Sequence, residues 1–535
     1  MENTYTKEQL NKLDKDVLIT LFLGVQEQLT KQTKAIEMLT EQIALMNSRT
    51  FGKKSEHKII AEENQLSMFD DLVNEAELTA HGQPVSEPDF DTVVVAEHKR
   101  KKQKGKREED LSAYPVEIIE HTMPEEELTR TFPDGYTRLE DDVYKKLEMI
   151  PSTFKVYEHH LAVYKGRNGK ILKTKHPKEM LNNSIATPSL VAAIINGKYT
   201  NAIPIYRQAQ EFERNNVKIS RQVMSNWVIT TTERYLSLIY DKIKDDLMNS
   251  PVIHADETPV MVTKDGRDGM HKNFMWVYHS GNMCKAKPAV IFDYQKSRKS
   301  EAPRKFLEGF KGKLVCDGYQ VYHSLENDEG VEFQVAGCWA HARRKFADIV
   351  KSLGKDKAKG TIAYESVVQI DNIYHTDNRL KELPPSIRKQ KRKALVKPLV
   401  DSFFEWCREN QNSVTTNSAT GKGIAYCLNQ EKYLRVFLSD PMIPLDNNIA
   451  ERAIRPFCVG KKNWKLIDTV AGAKASAMLY SIVETAKANE LNIYQYLKLL
   501  LTEIPKYVDG NSMNFLESLL PWSKELPREC RKIKE

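Results

Sequence analysis

No cysteine precedes Cys284, and the seven present are scattered without a CxxC pair. That usage excludes a disulfide scaffold and points to a reducing compartment. Apolar runs of membrane-spanning length are also missing, and the first residues are polar with no apolar leader segment, so a cytoplasmic protein without membrane contact is expected. Neither sign of charge is scarce: 80 Lys and Arg stand against 73 Asp and Glu, a net charge of +7. That balance is a weak whole-chain signal, but the positive charge is clustered, and clustering matters more for nucleic-acid binding. At 535 residues the chain exceeds what one hydrophobic core supports, and three or four domains are expected.

What is present is organised in blocks. Residues 8–49 repeat apolar residues at heptad spacing: Leu18, Val25, Leu39 and Met46 share one position with Gln32, and Phe22, Leu29, Ile36 and Ile43 lie four residues on. This predicts a coiled coil over 1–50 and self-association through it; a single helix packed on its own domain carries the same pattern. Residues 51–112 read as a linker, acidic from 58 to 97 and then basic in HKRKKQKGKR (98–107). Lys99, Arg100, Lys101 and Lys102 in that run suit a phosphate backbone, as a solvated tail would also be basic. LSMF (66–69) is a candidate docking helix. Residues 113–182 have strand composition at 143–150 and 155–164 and a turn at 166–169, which predicts a small β-rich module.

Residues 183–248 predict short helices. The first, at 188–195, is expected to stop at Asn196-Gly197; the second covers 203–215; the third is capped by Ser220 and opens with Arg221. This suggests a helix-turn-helix that contacts DNA, although three-helix structural modules look the same. From 249 the pattern changes to short buried strands at 252–256, 274–278, 289–293, 313–317 and 333–339, with helices at 300–310 and from 341. An α/β core in two parts is expected, 249–349 and 441–502, split by a helical insertion at 350–440 and followed by a tail at 503–535. Pro398 is expected to kink a helix of the insertion.

Asp256 and Asp317 each close a predicted strand, and Glu451 lies on a strongly basic amphipathic helix. Carboxylates at two strand ends and on one helix can share divalent cations; Mg²⁺ is the expected ion, with Mn²⁺ as a substitute. Two ions about 3.5–4 Å apart clamp both oxygens of an in-line phosphoryl displacement. Arg452, Arg455, Lys461, Lys462 and Trp464 around Glu451, and His341, Arg343 and Arg344 on an earlier helix, are then expected to hold DNA. Each piece has a plainer explanation: Asp317-Gly318 is a common turn, and Glu451 with Arg455 makes an ordinary helix ion pair. His254 is an accessory ligand or a hydrogen-bonded neighbour, and Glu257 is expected on the opposite strand face from Asp256.

Several words of the chain resemble one family in its own order: FGKKSE (51–56), LSMF (66–69), HADETP (254–259), CDGY (316–319), GCWAHARRKF (337–346), NNIAERAIRP (447–456) and KKNW (461–464). They resemble the DDE transposases of the IS66 family of bacterial insertion sequences. The resemblance implies an RNase H-like core, a mixed five-stranded sheet with flanking helices, and Asp256, Asp317 and Glu451 as the catalytic triad. It implies cleavage and strand transfer at the element's ends with two Mg²⁺ ions, DNA ends and target DNA as partners, accessory proteins of the same element, and a bacterial cytoplasmic protein that joins the nucleoid on DNA. The family usually carries a zinc module with a CxxC pair; here that stretch reads RTFPDGY (130–136), so no zinc is expected. A metal nuclease that cleaves without joining, and a non-catalytic DNA-binding or assembly protein, remain open.

Overall fold

A computed structural model of the chain describes residues 7–10, 13–51, 116, 118–119, 127, 130, 133–134, 153–165, 167, 171–269, 271–281, 287–508 and 513–532. The basic run at 98–107, the docking segment at 66–69 and the strand expected at 143–150 lie outside the described residues. Two units are compact in themselves, residues 1–62 with 178–531 and residues 63–177 with 532–535. In the second, β1 (Val163–Lys165) and β2 (Ile171–Lys173) pair antiparallel with Lys165 opposite Ile171; most of the turn expected at 166–169 lies outside the described residues.

In the first unit a short helical turn, Lys7–Leu10, is followed by a long helix, α1 (Lys15–Phe51). After residue 178 come α2 (Pro188–Ile195), α3 (Ile205–Arg214), α4 (Arg221–Thr231) and α5 (Ser237–Met248). Thr187 and Ser220 accept hydrogen bonds from Leu190 N and Val223 N and so cap α2 and α4. The stop expected at Asn196-Gly197 does not occur: the chain continues as a wide π turn, Asn196–Thr200. Gly197 serves a close approach instead, because a Cβ there would meet the Gln208 amide at 2.8 Å. That amide donates to Ile194 O and Ile203 O and ties α3 under α2. Val191, Met224, Val228, Ile239 and Ile243 share one buried cluster with Ile253, Trp276 and Phe292, and of these helices α5 reaches the sheet directly, where the Tyr240 hydroxyl donates to Phe292 O at 3.1 Å.

The sheet follows: β3 (Val252–Lys264), β4 (Lys272–Ser280), β5 (Val290–Gln295), then α6 (Glu301–Phe306), β6 (Lys313–Cys316), α7 (Gln320–Leu325) and β7 (Gln334–Gly337). The insertion is α8 (Trp339–Leu353), α9 (Ile362–Asn378), α10 (Pro385–Lys391), α11 (Lys397–Asn410) and α12 (Ala419–Leu434). The chain closes with α13 (Asn448–Trp464), β8 (Ile467–Thr469), α14 (Val470–Ala488) and α15 (Ile493–Tyr507). The strand order is β5-β4-β3-β6-β7, antiparallel up to β3 and parallel beyond it, with β8 parallel to the far end of β3.

The sheet therefore has six strands rather than five, and β3 does not end at Asp256. Its first residues, Val252 to Ala255, are all buried between β4 and β6, His254 included. Beyond Glu257 only Thr258, Val260 and Val262 are buried, so the run breaks into alternation while the strand continues. On the other side, β5 meets α14. Ser481 and Thr485, one turn apart, satisfy the outward backbone of β5: Phe292 N donates to Ser481 Oγ at 2.7 Å and Val290 N to Thr485 Oγ1 at 2.9 Å.

A second core takes in Val252, Val315 and Ala336 of the sheet and buries Trp339, Phe346, Phe403, Phe404 and Phe437 of the insertion against them. Pro398 stands inside a helical run that continues from Pro385 to Asn410, directly after the wide π turn Arg392–Val396, which accommodates its missing N–H. Beside it Asp377 is fully buried and bonded by Arg388 and Arg392. Arg392 also donates to the carbonyls of Phe437, Asp440 and Ile443. The second half of α1 packs here: Lys34 Nζ donates to Asn412 O at 2.7 Å, Thr420 Oγ1 donates to Glu41, and Leu45 joins the core. The heptad positions Phe22, Val25, Leu29, Ile36, Leu39, Ile43 and Met46 all face away, exposed.

Candidate active site

Two strands and one helix bring the acids together. β3 and β6 pair in parallel with His254 opposite Val315, and the same offset sets Asp317, one residue past β6, beside Asp256. Asp256 Oδ1 accepts from Glu257 N at 2.8 Å, and Asp317 Oδ1 accepts from Tyr319 N at 3.0 Å. Gly318 is needed for more than a turn. A Cβ there would meet the Tyr426 ring at 2.7 Å, so the missing side chain lets α12 lie against the bend that carries Asp317.

Glu451 occupies the first turn of α13. The start of that helix is pinned by Asn447, which is buried and bonds three ways. Its Oδ1 accepts from His254 Nδ1, its Nδ2 donates to Ala255 O at 2.8 Å, and its backbone N–H points at Cys338 Sγ at 3.2 Å. His254 is thus a hydrogen-bonded neighbour; burial pushes its pKa down to about 3 and keeps it neutral. Arg344 Nη2 donates to Glu451 Oε2 at 3.1 Å, and His341 Nδ1 stands 3.7 Å from Glu451 Oε1.

The electrostatics record how close the acids are. Burial raises the Asp256 pKa to about 7, and the charges of Glu257, Asp317 and Glu451 add to the rise. Glu257 is itself raised, first by burial, while Arg298 opposes the shift. Its carboxylate accepts from Arg298 Nε at 2.8 Å and from the Tyr322 hydroxyl at 3.1 Å. An all-oxygen donor set whose members repel one another suits a hard divalent cation, which removes both the repulsion and the cost of ionising Asp256. Asp256, Asp317 and Glu451 fit Mg²⁺ on that ground.

The expected DNA-holding residues scatter. Arg452 and Arg455 follow Glu451 on α13, Arg455 exposed and Arg452 half-buried with its charge bearing on His279. Lys461 Nζ donates to Pro259 O at 2.8 Å and so ties α13 to β3. Lys462 is exposed, whereas Trp464 turns edge-on to Phe457 and packs inward. Arg343 is bidentate to Asp371 on α9, and Arg221 is exposed at the start of α4. Lys99, Arg100, Lys101 and Lys102 lie outside the described residues.

Three features went unread in the sequence. Asn447 stands in a quoted motif, but its role needs contacts with residues 193 positions away. Glu257 was set aside by strand alternation, yet its charge bears on both aspartates. The Cys338–His341 spacing was visible, but its relation to Glu451 was not.

Comparison with known proteins adds three family matches. The description "Transposase IS66 family" fits residues 183–475, "IS66 C-terminal element" fits 481–522, and "Transposase C of IS166 homeodomain" fits 38–119. Among curated relatives, the uncharacterized protein y4jD of Sinorhizobium fredii is 28% identical over 424 residues, 77% of this chain and 80% of its own. The uncharacterized protein y4qI of the same organism is 28% identical over 393 residues, 72% of this chain and 71% of its own. The homeodomain match covers the end of α1 and the stretch that reads as a linker, well ahead of the helices at 183–248.

Proposed function

The chain belongs to the IS66 family of transposases, and from that premise we propose that it cuts and joins DNA at the ends of an insertion sequence as a DDE enzyme, with Asp256, Asp317 and Glu451 as its triad. One observation carries the proposal: Asp256 on β3, Asp317 just past the end of the parallel neighbour β6, and Glu451 on α13 are near enough that the last two help raise the pKa of Asp256. The strand order supports an RNase H-like core, because three antiparallel strands lead into two parallel ones and the third acid arrives on a helix after an insertion.

Asp256, Asp317 and Glu451 would hold Mg²⁺, which when bound would supply positive charge for in-line displacement at a phosphodiester by water or a DNA 3′-hydroxyl. The chain's own groups do the rest. Asn447 fixes the height of α13 against β3, and Arg344 orients one oxygen of Glu451. Arg455 and Lys462, exposed on the same helix, are placed to hold a phosphate backbone. The homeodomain match at 38–119 supports a separate DNA-reading module that includes the basic run. The exposed heptad face of α1 supports self-association, which holds two DNA ends in one assembly. Accessory proteins of the element and association with the bacterial nucleoid complete this reading. No helix among the described residues is long and apolar enough to cross a membrane.

The test is a strand-transfer assay with labelled element ends and Mg²⁺. Joined product is expected from the natural chain and none from Asp256→Asn or Glu451→Gln, with DNA binding retained in both. Cleavage without joining turns the assignment into a nuclease; full activity in Asp256→Asn rejects the triad.

A further inference from the structure

Next to the acids lies a second group of ligand-type atoms that an all-oxygen metal site does not use. His341 Nδ1 and Glu451 Oε1 are both buried, neither has a hydrogen-bond partner, and they face each other across 3.7 Å. Cys338 Sγ completes the group, and the three ligand atoms all lie within 4.8 Å of one another. Arg344 holds the other oxygen of Glu451, so Oε1 is the one turned toward the imidazole.

The fold explains the convergence. Cys338 is the N-cap residue of α8 and His341 stands in its first turn, so sulfur and imidazole leave the helix start together. The sulfur accepts backbone hydrogen bonds from Asn447 and His341. Burial pushes the Cys338 thiol up to about 12 while the two backbone donors pull the other way, so the sulfur is a thiol at rest and becomes a thiolate only with an ion to take its charge. The Asn447 that supplies one donor also begins α13, and Glu451 descends from the first turn of that helix onto the same point.

We propose that Cys338, His341 and Glu451 hold a divalent ion of the zinc class. A sulfur, a nitrogen and one carboxylate oxygen are the donors such an ion selects and Mg²⁺ does not. Bonds of about 2.0–2.1 Å to nitrogen and oxygen at a tetrahedral angle put those two atoms roughly 3.4 Å apart, close to the separation present before any ion is bound. Three protein ligands leave a fourth position for water or a phosphate oxygen. Binding sends the thiol proton to solvent, so the thiolate and Glu451 together balance the ion. This proposal departs from the expectation of no zinc, which rests on the cysteine-free stretch 130–136. The inference shares Glu451 with the proposed triad: an ion here engages Oε1 and withdraws it from Asp256 and Asp317.

The test uses the full chain, stripped of metal and titrated with Co²⁺ in excess Mg²⁺. One equivalent is expected to produce a thiolate-to-cobalt charge-transfer band. Cys338→Ser should lose the band, while His341→Ala and Glu451→Gln should weaken Co²⁺ binding tenfold or more. Asp256→Asn should keep the band unchanged while losing strand transfer, which separates this site from the triad. Melting curves of each apo variant establish that it is folded; should Cys338→Ser fail to fold, His341→Ala decides the matter alone. Co²⁺ binding without the band, the band at full strength in Cys338→Ser, or unchanged affinity in His341→Ala each overturns the proposal.

Discussion

Asn447 Oδ1 and His254 Nδ1 lie 3.0 Å apart, a buried hydrogen bond that spans 193 residues and joins the start of the Glu451 helix to the strand of Asp256. The bond requires the proton on Nδ1, so His254 is a fixed donor, and it places Asn447 as a positioning residue.

Asn447→Ala leaves His254 Nδ1 and Ala255 O buried without this partner. An orphaned buried polar group costs about 1–3 kcal/mol, so a loss of that order is expected in urea unfolding. Strand transfer should fall at least tenfold while binding of end DNA stays unchanged. A variant that is destabilised yet joins DNA at the natural rate would show that the contact serves the fold alone.

Asp256 carries a pH signature. Its folded pKa is raised to about 7, so between about pH 4 and pH 7 the folded chain keeps a proton that the unfolded chain has released. The folded state binds more protons in that window, and the contribution of Asp256 to stability therefore falls as pH rises. In metal-free buffer, Asp256→Asn should gain on the natural chain as pH goes from 4 to 8, by up to about 4 kcal/mol. Mg²⁺ should narrow the gap by stabilising only the natural chain. A difference that is flat with pH would contradict the raised pKa.

Arg392 is fully buried and bonds both Asp377 and three carbonyls of the loop that leads toward α13. Removing one partner of a buried ion pair costs about 3–5 kcal/mol. Arg392→Met should lower the urea midpoint accordingly and loosen 437–443, seen as faster amide exchange at those residues. An unchanged midpoint would mean that Arg388 alone satisfies Asp377.

The two faces of α1 give opposite expectations. Leu29→Glu with Ile36→Glu alters exposed positions and should reduce the assembly size in light scattering without lowering the melting temperature. Leu45→Glu enters the core of the insertion and should lower the melting temperature. If the first pair leaves the assembly intact, the heptad face is not the contact.

Much of this architecture was legible from residues whose burial is continuous. β4, β5, β6 and β7 were readable because strands covered on both faces are uninterrupted apolar runs. Asp317 was readable as the acid that closes such a run, Asp256 was picked as a strand end although β3 runs on past it, and Glu451 was picked as the acid on a basic helix. What escaped depended on partners far along the chain. The second half of β3 alternates like a surface strand; it continues because β4 pairs with it as far as Met261 and β8, three residues long and some 200 positions later, takes over at Val262. Gly197 looked like a helix stop because local preference says nothing of Gln208. The heptad of α1 was plain, but Lys34, Glu41 and Leu45, which hold the helix to the insertion, do not form an apolar stripe.

The hydroxyls that cover β5 also set an order of events during synthesis. Thr485 caps Val290 across 195 residues, so β5 leaves the ribosome long before its cover exists. Until α14 emerges, a nascent chain presents a bare strand edge able to pair with its counterpart on a neighbouring nascent chain. A product cut short before residue 470 keeps that edge permanently, and such a fragment would form extended aggregates rather than an inactive soluble protein.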